Sequence, residues 1–78
     1  MQIGVHLSMS GPCVIRVYNT AGELVKTLHY EADAVAPKNV VVVWDGTNNH
    51  YQKVSSGVYI IHFMGSLESR TAKLLVIR

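Results

Sequence analysis

Two β-prone stretches separated by turn residues constrain this chain most. Residues 40–46 are four valines followed by Trp-Asp-Gly, and residues 57–63 are Gly-Val-Tyr-Ile-Ile-His-Phe. A run of β-branched residues that stops at Asp-Gly is typical of a strand that enters a turn. No segment has apolar residues at the helical spacing, so the sequence predicts an all-β fold with no helix beyond a single turn.

Alternating apolar residues define the first half of the chain. They predict a half-buried strand over residues 3–9, which residues 10–12 end. The alternation resumes at Cys13, and residues 19–22 form a type I turn sequence that ends in Gly22. We therefore expect a hairpin over residues 13–29. Cys13 is the only cysteine, which excludes an internal disulfide, and its place in an apolar strand predicts a buried, inert thiol.

The second half contains one long polar stretch, residues 30–38. Because Pro37 disfavours a central strand, we expect this stretch to be a loop that crosses between two sheets. Strands are then predicted over residues 40–44, 57–64 and 70–78. Six or seven short strands predict one domain over residues 1–78, an antiparallel β-sandwich with Trp44 as its core anchor.

Composition excludes several classes of protein. The chain has 78 residues, 49% of them hydrophobic, which argues against disorder. Its net charge is +2 and its basic residues are dispersed, so nucleic-acid binding has no support. No run is long enough to insert in a membrane, and the first residues lack the features of a signal peptide. Export would therefore require a leader or a larger parent protein.

Residues that could carry chemistry are scattered. Asp45, Asn48 and Asn49 could hold Ca²⁺, but their spacing is not that of an EF-hand, and these residues also bond their own backbone in turns. Ser55 and Ser56 lack the context of a nucleophile elbow. Neither the histidines nor the carboxylates have the spacing of a metal or acid–base site; they are His6, His29, His50 and His62, and Glu23, Glu31, Asp33, Asp45 and Glu68. The alternation places His6 and His62 on outward, solvated faces of their strands. We expect no catalytic, cofactor-binding or metal-binding residues.

Four segments in this order resemble the FlgD Ig-like family. They are residues 14–25 with Tyr-Asn-x-x-Gly, residues 42–48 with Trp-Asp-Gly, residues 54–59 with Ser-Gly-Val-Tyr, and residues 73–78. That family includes the Ig-like domain of the flagellar hook-capping protein and overlaps the C-terminal sorting domains of type IX secretion cargo. The matching fold-motif residues are Tyr18, Asn19, Gly22, Trp44, Asp45, Gly46, Gly57 and Tyr59. The family often has glycine where this chain has Tyr51, which suggests a different turn conformation there.

The resemblance implies a non-catalytic Ig-like sandwich that acts as a sorting or attachment module of an exported bacterial protein. In sorting tails the last strand closes the sandwich and is part of what the secretion machinery reads. The corresponding recognition strand here comprises Lys73, Leu74, Leu75, Val76, Ile77 and Arg78. A partner could bind such an apolar strand by strand addition if its edge is open.

Two other roles use the same sandwich. A structural interaction domain, as in hook-cap assembly, would self-associate. An accessory module of a larger secreted enzyme would hold substrate, with Tyr30 and Tyr51 as candidate exposed anchors. In all three cases the expected partner is a protein or a parent-protein domain, in the periplasm, at the cell surface or outside the cell.

Overall fold

The computed structural model describes residues 2–77 and contains six strands and no helix within them. The strands are β1 (Gln2–Leu7), β2 (Gly11–Asn19), β3 (Leu24–Ala34), β4 (Lys38–Val43), β5 (Gly57–Met64) and β6 (Ser69–Val76). The predicted all-β fold is therefore confirmed. Helix is absent from these residues because their apolar positions alternate with period two.

The strands form two antiparallel sheets. The larger sheet has the order β3-β2-β5-β6, and the smaller pairs β1 with β4. The chain passes from the larger sheet to the smaller at residues 35–37, between β3 and β4. Each sheet covers an apolar face of the other, which gives the predicted small β-sandwich.

The core lies between the sheets. Every second residue of the two central strands contributes to it; these residues are Cys13, Ile15, Val17, Tyr59, Ile61 and Phe63. From the smaller sheet, Leu7 and Val40 are buried against them, with Ile3, Val5 and Val42 packed around. No polar or charged residue among those described is buried. The cluster is the main source of stability, because burial of apolar surface is the dominant favourable term in folding.

The predicted hairpin is formed by β2 and β3. The Gly22 N–H donates to the Asn19 carbonyl at 3.1 Å, and Gly22 has a φ of 82°, a conformation that glycine adopts without strain. The Asn19 side chain fixes the same turn, since its Oδ1 accepts from the backbone N–H groups of Ala21 and Glu23. Asn19 and Gly22 thus form the turn that the hairpin prediction places here.

The prediction of a loop over residues 30–38 is wrong for most of that stretch. β3 continues to Ala34, β4 already begins at Lys38, and only the crossing itself is irregular. β3 is an outermost strand of its sheet, so its polar residues reach solvent while its backbone pairs with β2. Polarity therefore does not exclude a strand in that position.

Smaller corrections concern strand ends. Met9 lies beyond β1 and is exposed, whereas Gly11 and Pro12 belong to β2 instead of ending β1. Gly11 pairs with Ala34 at the far end of the long β3. The extension of β3 therefore explains the early start of β2, since it gives Gly11 a pairing partner. β1 ends at Leu7 because its partner β4 begins at Lys38.

An ion pair connects the two sheets beside the crossing. Lys38 of β4 donates to both carboxylate oxygens of Glu31 in β3, at 2.8 and 2.9 Å, and His29 lies 2.7 Å from the same carboxylate. Hydrogen bonds from Lys38 and then from His29 hold the pKa of Glu31 below its usual value. The carboxylate is thus held in its charged form at the rim of the core.

Candidate interaction surface

Trp44 follows β4 directly and is the core anchor that the sequence predicts. It is 2% exposed, and its ring meets the Tyr59 ring edge-on with centroids 5.4 Å apart. The indole N–H donates to the Thr47 carbonyl at 2.9 Å, which satisfies its one polar atom. The role of Trp44 is therefore structural, since its side chain packs in the core.

Tyr59 is also a structural residue. Its ring is buried, and its hydroxyl donates to the Ser55 carbonyl at 2.7 Å, four residues upstream. This contact resembles the tyrosine corner of Ig domains, in which a Tyr hydroxyl bonds the backbone a few residues before it. It ties the Ser-Ser-Gly segment to β5, which begins at Gly57.

The oxygen-rich turn after Trp44 has the turn chemistry that its residues predict. Asp45 Oδ1 accepts from the Thr47 hydroxyl at 2.6 Å and from its backbone N–H at 3.1 Å, and these bonds lower the pKa of Asp45. Asn48 Oδ1 accepts from two backbone N–H groups of the turn, and Asn49 Oδ1 accepts from Thr27 N–H in β3. Gly46 has a φ of 77°, as this turn requires.

Tyr51 closes the same turn in a left-handed conformation with φ of 60°. Glycine adopts this conformation without strain, and it is uncommon for other residues. The exposed Tyr51 ring lies under the Lys26 ammonium, 4.4 Å from the ring centroid. Lys26 also donates to the Asn48 carbonyl at 3.1 Å. The predicted exposure of Tyr51 is confirmed, and its ring has a partner within the domain.

Other titratable groups do not converge on one site. Cys13 is buried, which raises the pKa of its thiol, and the Glu31 charge raises it further. Carboxylates have separate partners: Glu23 accepts from Asn19, and Glu68 accepts from Ser8 with Arg70 nearby. Among residues 2–77, no three His, Cys, Asp or Glu side chains form a group that could hold a metal ion.

A polar cleft lies at the turn end of the sandwich. It has a volume of about 510 Å³ and is open to solvent, and its walls are the turn after β2 and the segment before β5. Asn19, Glu23, Ser55 and Ser56 line it. These groups offer hydrogen bonds, but no nucleophile and base are paired there.

The predicted recognition strand forms an outer edge of the larger sheet. β6 pairs with β5 through residues 69–76 and has no second neighbour among the described strands. Leu74 and Val76 pack against the core, while Leu75 is exposed. Ile77 lies beyond the strand and is exposed, and Arg78 falls outside the described residues. The edge that strand addition requires is therefore open.

The larger sheet has a second face, which points away from the smaller sheet. We call it the outer face. It is defined by register with β2 and β5 and comprises Val14, Arg16, Tyr18, Leu24, Thr27, Tyr30, Val58, Ile60, His62, Met64, Ser69, Thr71, Lys73 and Leu75. Directly opposed residues of antiparallel strands share a face, so these side chains are neighbours. Much of this surface is apolar although no described element covers it.

Sequence reasoning missed the outer face. The signal was present, because β5 is apolar at consecutive positions and β2 carries Val14 and Tyr18 between its core residues. A strand that is apolar in both phases predicts a sheet with two apolar faces. His62 was expected on a solvated face; it is half-buried there, against the Tyr18 ring and hydrogen-bonded to Ser69. His6 is exposed, as predicted.

Comparisons with known proteins return nothing for this chain: no family model, curated protein or solved structure matches it. The likeness to the FlgD Ig-like family therefore stays a prediction from the quoted motifs. The described residues include no helix of the length and apolarity needed to cross a membrane.

Proposed function

We propose that this domain is a non-catalytic protein-recognition module, which acts as a sorting or attachment domain of the type IX secretion kind in an exported bacterial protein. The observation that carries the proposal is the open edge of β6. Its partner is a protein of the secretion machinery or another domain of the parent protein. The resemblance in the motifs supports the exported location. Because the motif residues act in turns and in the core, they are not available to a partner, and this supports a recognition site elsewhere on the surface.

Strand addition explains how β6 is recognised. An extended segment that pairs with β6 gains backbone hydrogen bonds along the strand, and alternate side chains supply specificity. Leu75 is more than half exposed and Lys73 lies on the same side of β6. An incoming strand therefore meets one apolar and one cationic side chain in alternate positions.

Two exposed leucines on opposite edges of the sheet give a matched test. Leu75 lies on β6 and Leu24 on β3, both on the outer face and with similar exposure. The whole chain is fused behind a reporter in a bacterium with a type IX system, and envelope and medium are compared by immunoblot. We expect Leu75→Lys to hold the reporter inside the cell and Leu24→Lys to export it normally. Equal export of both variants, with both folded, would reject β6 as the recognised strand.

The alternative is a structural interaction domain, as in hook-cap assembly. The apolar outer face favours it, because large exposed apolar patches mark interaction sites. This role predicts self-association at micromolar concentration. Sedimentation velocity of the isolated chain distinguishes the two, since a sorting module is expected to remain monomeric.

A further inference from the structure

The outer face has exposed apolar side chains toward both ends of its strands, on either side of a central polar row that contains Arg16 and His62. Leu24 and Tyr30 on β3, Val58 and Met64 on β5, and Leu75 on β6 are each more than 40% exposed. They lie on one sheet surface with the half-buried Ile60 and Tyr18 among them. Exposed apolar groups of this number, on both sides of a polar row, mark a place where another macromolecule binds.

Two cationic side chains lie on this surface without a hydrogen-bond or ion-pair partner. Arg16 lies in the middle of the sheet, between Thr27 of β3 and His62 of β5, and Lys73 lies opposite Ile60. Within residues 2–77, neither side chain makes a hydrogen bond or an ion pair. The Arg16 Nε atom is buried and has no acceptor in the described structure. Because the Nε atom is closed off, a partner would reach this guanidinium through its terminal nitrogens, which are not among the buried atoms that lack a partner.

The carboxylates that could neutralise these cations are held elsewhere. Glu31 is bonded to Lys38 on the side of the smaller sheet, Asp45 to its own turn, and Glu68 to Ser8. Glu23 lies in the turn before β3, where the Asn19 amide donates to it. The fifth carboxylate, Asp33, lies near the end of β3, where Ala34 pairs with Gly11, five positions along β2 from Arg16. None of the outer-face residues named above is an Asp or Glu. The face therefore combines apolar area with uncompensated positive charge.

We propose that the outer face docks a protein segment that presents a carboxylate among apolar side chains, with the carboxylate on the Arg16 guanidinium. The guanidinium fork matches a carboxylate in a bidentate geometry, and such charge-assisted bonds are stronger than neutral ones. Apolar neighbours of the acid would cover Ile60 and Met64 on either side. The centre of this docking site, Arg16, is on β2 and is separated from the β6 edge by β5.

Two other occupants fit less well. A second copy of the chain in the same orientation would bring Arg16 and Lys73 against the same cations, with no carboxylate on the face to pair them. An anionic lipid surface is recognised by clusters of about four to eight basic residues, and this face has two. A protein carboxylate flanked by apolar side chains satisfies both the charge and the apolar neighbours of Arg16.

Short random peptides displayed on phage provide the probe, selected against the whole chain. We expect the enriched peptides to share an Asp or Glu flanked by apolar residues. Their affinity should fall about tenfold or more for Arg16→Gln and for the peptide with its acid changed to the amide. Arg70→Gln is the matched control, since Arg70 is an exposed arginine of β6 that has Glu68 as a partner, and it should bind normally. Lys73→Gln gives a second, smaller loss and keeps the test valid if Arg16→Gln does not fold.

Several outcomes would overturn the proposal. Selection that yields no shared acid, or equal binding by the Arg16 and Arg70 variants, would show that the guanidinium is not the docking group. Dimerisation abolished by Arg16→Gln would assign the face to a second copy. Binding to vesicles of anionic lipid that depends on Arg16 would assign it to a membrane. Because Arg16 lies on β2, with β5 between it and β6, a negative result with Arg16→Gln leaves the proposed function standing, and a negative export result with Leu75→Lys leaves the Arg16 docking site standing.

Discussion

The two faces of the larger sheet consist of alternate residues of the same strands, yet they differ in polarity. Between the sheets, β2 and β5 contribute only apolar side chains and Cys13. On the outer face the same strands contribute apolar side chains interrupted by Arg16 and His62. Folding requires the apolar inner face, because its burial forms the core. The outer face is nearly as apolar but contains charge, which is the composition of a binding surface more than of a core.

The comparison teaches that apolar content alone does not distinguish a core from an interface. Burial separates most of their residues: Ile15 and Val17 are fully buried, whereas Leu75 and Tyr30 are mostly exposed. Val14, in the centre of the sheet, is the buried residue of the outer face. A core substitution should therefore reduce the free energy of unfolding, and an outer-face substitution should reduce partner binding instead. The following predictions test that division, from the largest expected effect to the smallest.

Trp44→Ala should lower the free energy of unfolding by about 3–5 kcal/mol, because it removes a buried indole and leaves a cavity beside Tyr59. Urea denaturation followed by circular dichroism measures the change. An unchanged midpoint would mean that Trp44 is not the anchor of the inner face.

Ile61 and Ile60 are neighbours on β5 that point to opposite faces, so they compare the faces directly. Ile61→Ala should cost about 2–5 kcal/mol, as expected for a buried isoleucine. Ile60→Ala should cost only about 1 kcal/mol, since its side chain is already partly in water. Equal losses from the two variants would contradict the distinction between core and docking surface.

Tyr59→Phe removes only the hydroxyl that donates to the Ser55 carbonyl, and should cost about 1 kcal/mol. Tyr18→Phe is the control, because the Tyr18 hydroxyl has no hydrogen-bond partner in the described part of the chain. Thermal melting of the two variants side by side shows whether the tyrosine corner stabilises the inner face. A larger fall in melting temperature for Tyr18→Phe than for Tyr59→Phe would mean that the Tyr59 hydroxyl is not the stabilising contact.

Acid should lower the stability of the domain slightly, because the Glu31 carboxylate becomes protonated. Its pKa in the folded state is held low by Lys38 and His29, so the unfolded chain binds more protons in acid. The stabilisation is present above the unfolded pKa of about 4.3 and is lost as pH falls through the lower, folded pKa. Melting temperature should therefore decline less below pH 4.5 for Glu31→Gln than for the parent chain. Parallel declines would indicate that the ion pair contributes nothing measurable.

Much of the fold was predictable because the alternation is local. The hairpin turn at Asn19 and Gly22, the bounds of β5 and the burial of Trp44 and Cys13 follow from residue types and their spacing. The extent of β3 did not follow, because its polar residues are compatible with either a loop or an outermost strand. Only pairing with the start of β2 distinguishes the two.

The candidate site was also predictable from the sequence only in part. The apolar strand after Lys73 was readable as a recognition strand, and the structure adds that its edge is open. The role proposed for Arg16 was not predictable from the sequence. One arginine in an alternating strand is ordinary, and nothing in the neighbouring sequence indicates that the side chain lacks an acceptor.

The sequence by itself determined the strand type, most strand positions and the inner face, because period-two alternation and turn residues act over a few positions of the chain. Tertiary structure decided the strand order, and with it which edge stays open and which side chains share the outer face. Those properties depend on contacts between residues far apart in sequence, such as Arg16 beside His62 or Glu31 beneath Lys38. Local patterning carries no information about such pairs until the sheets assemble.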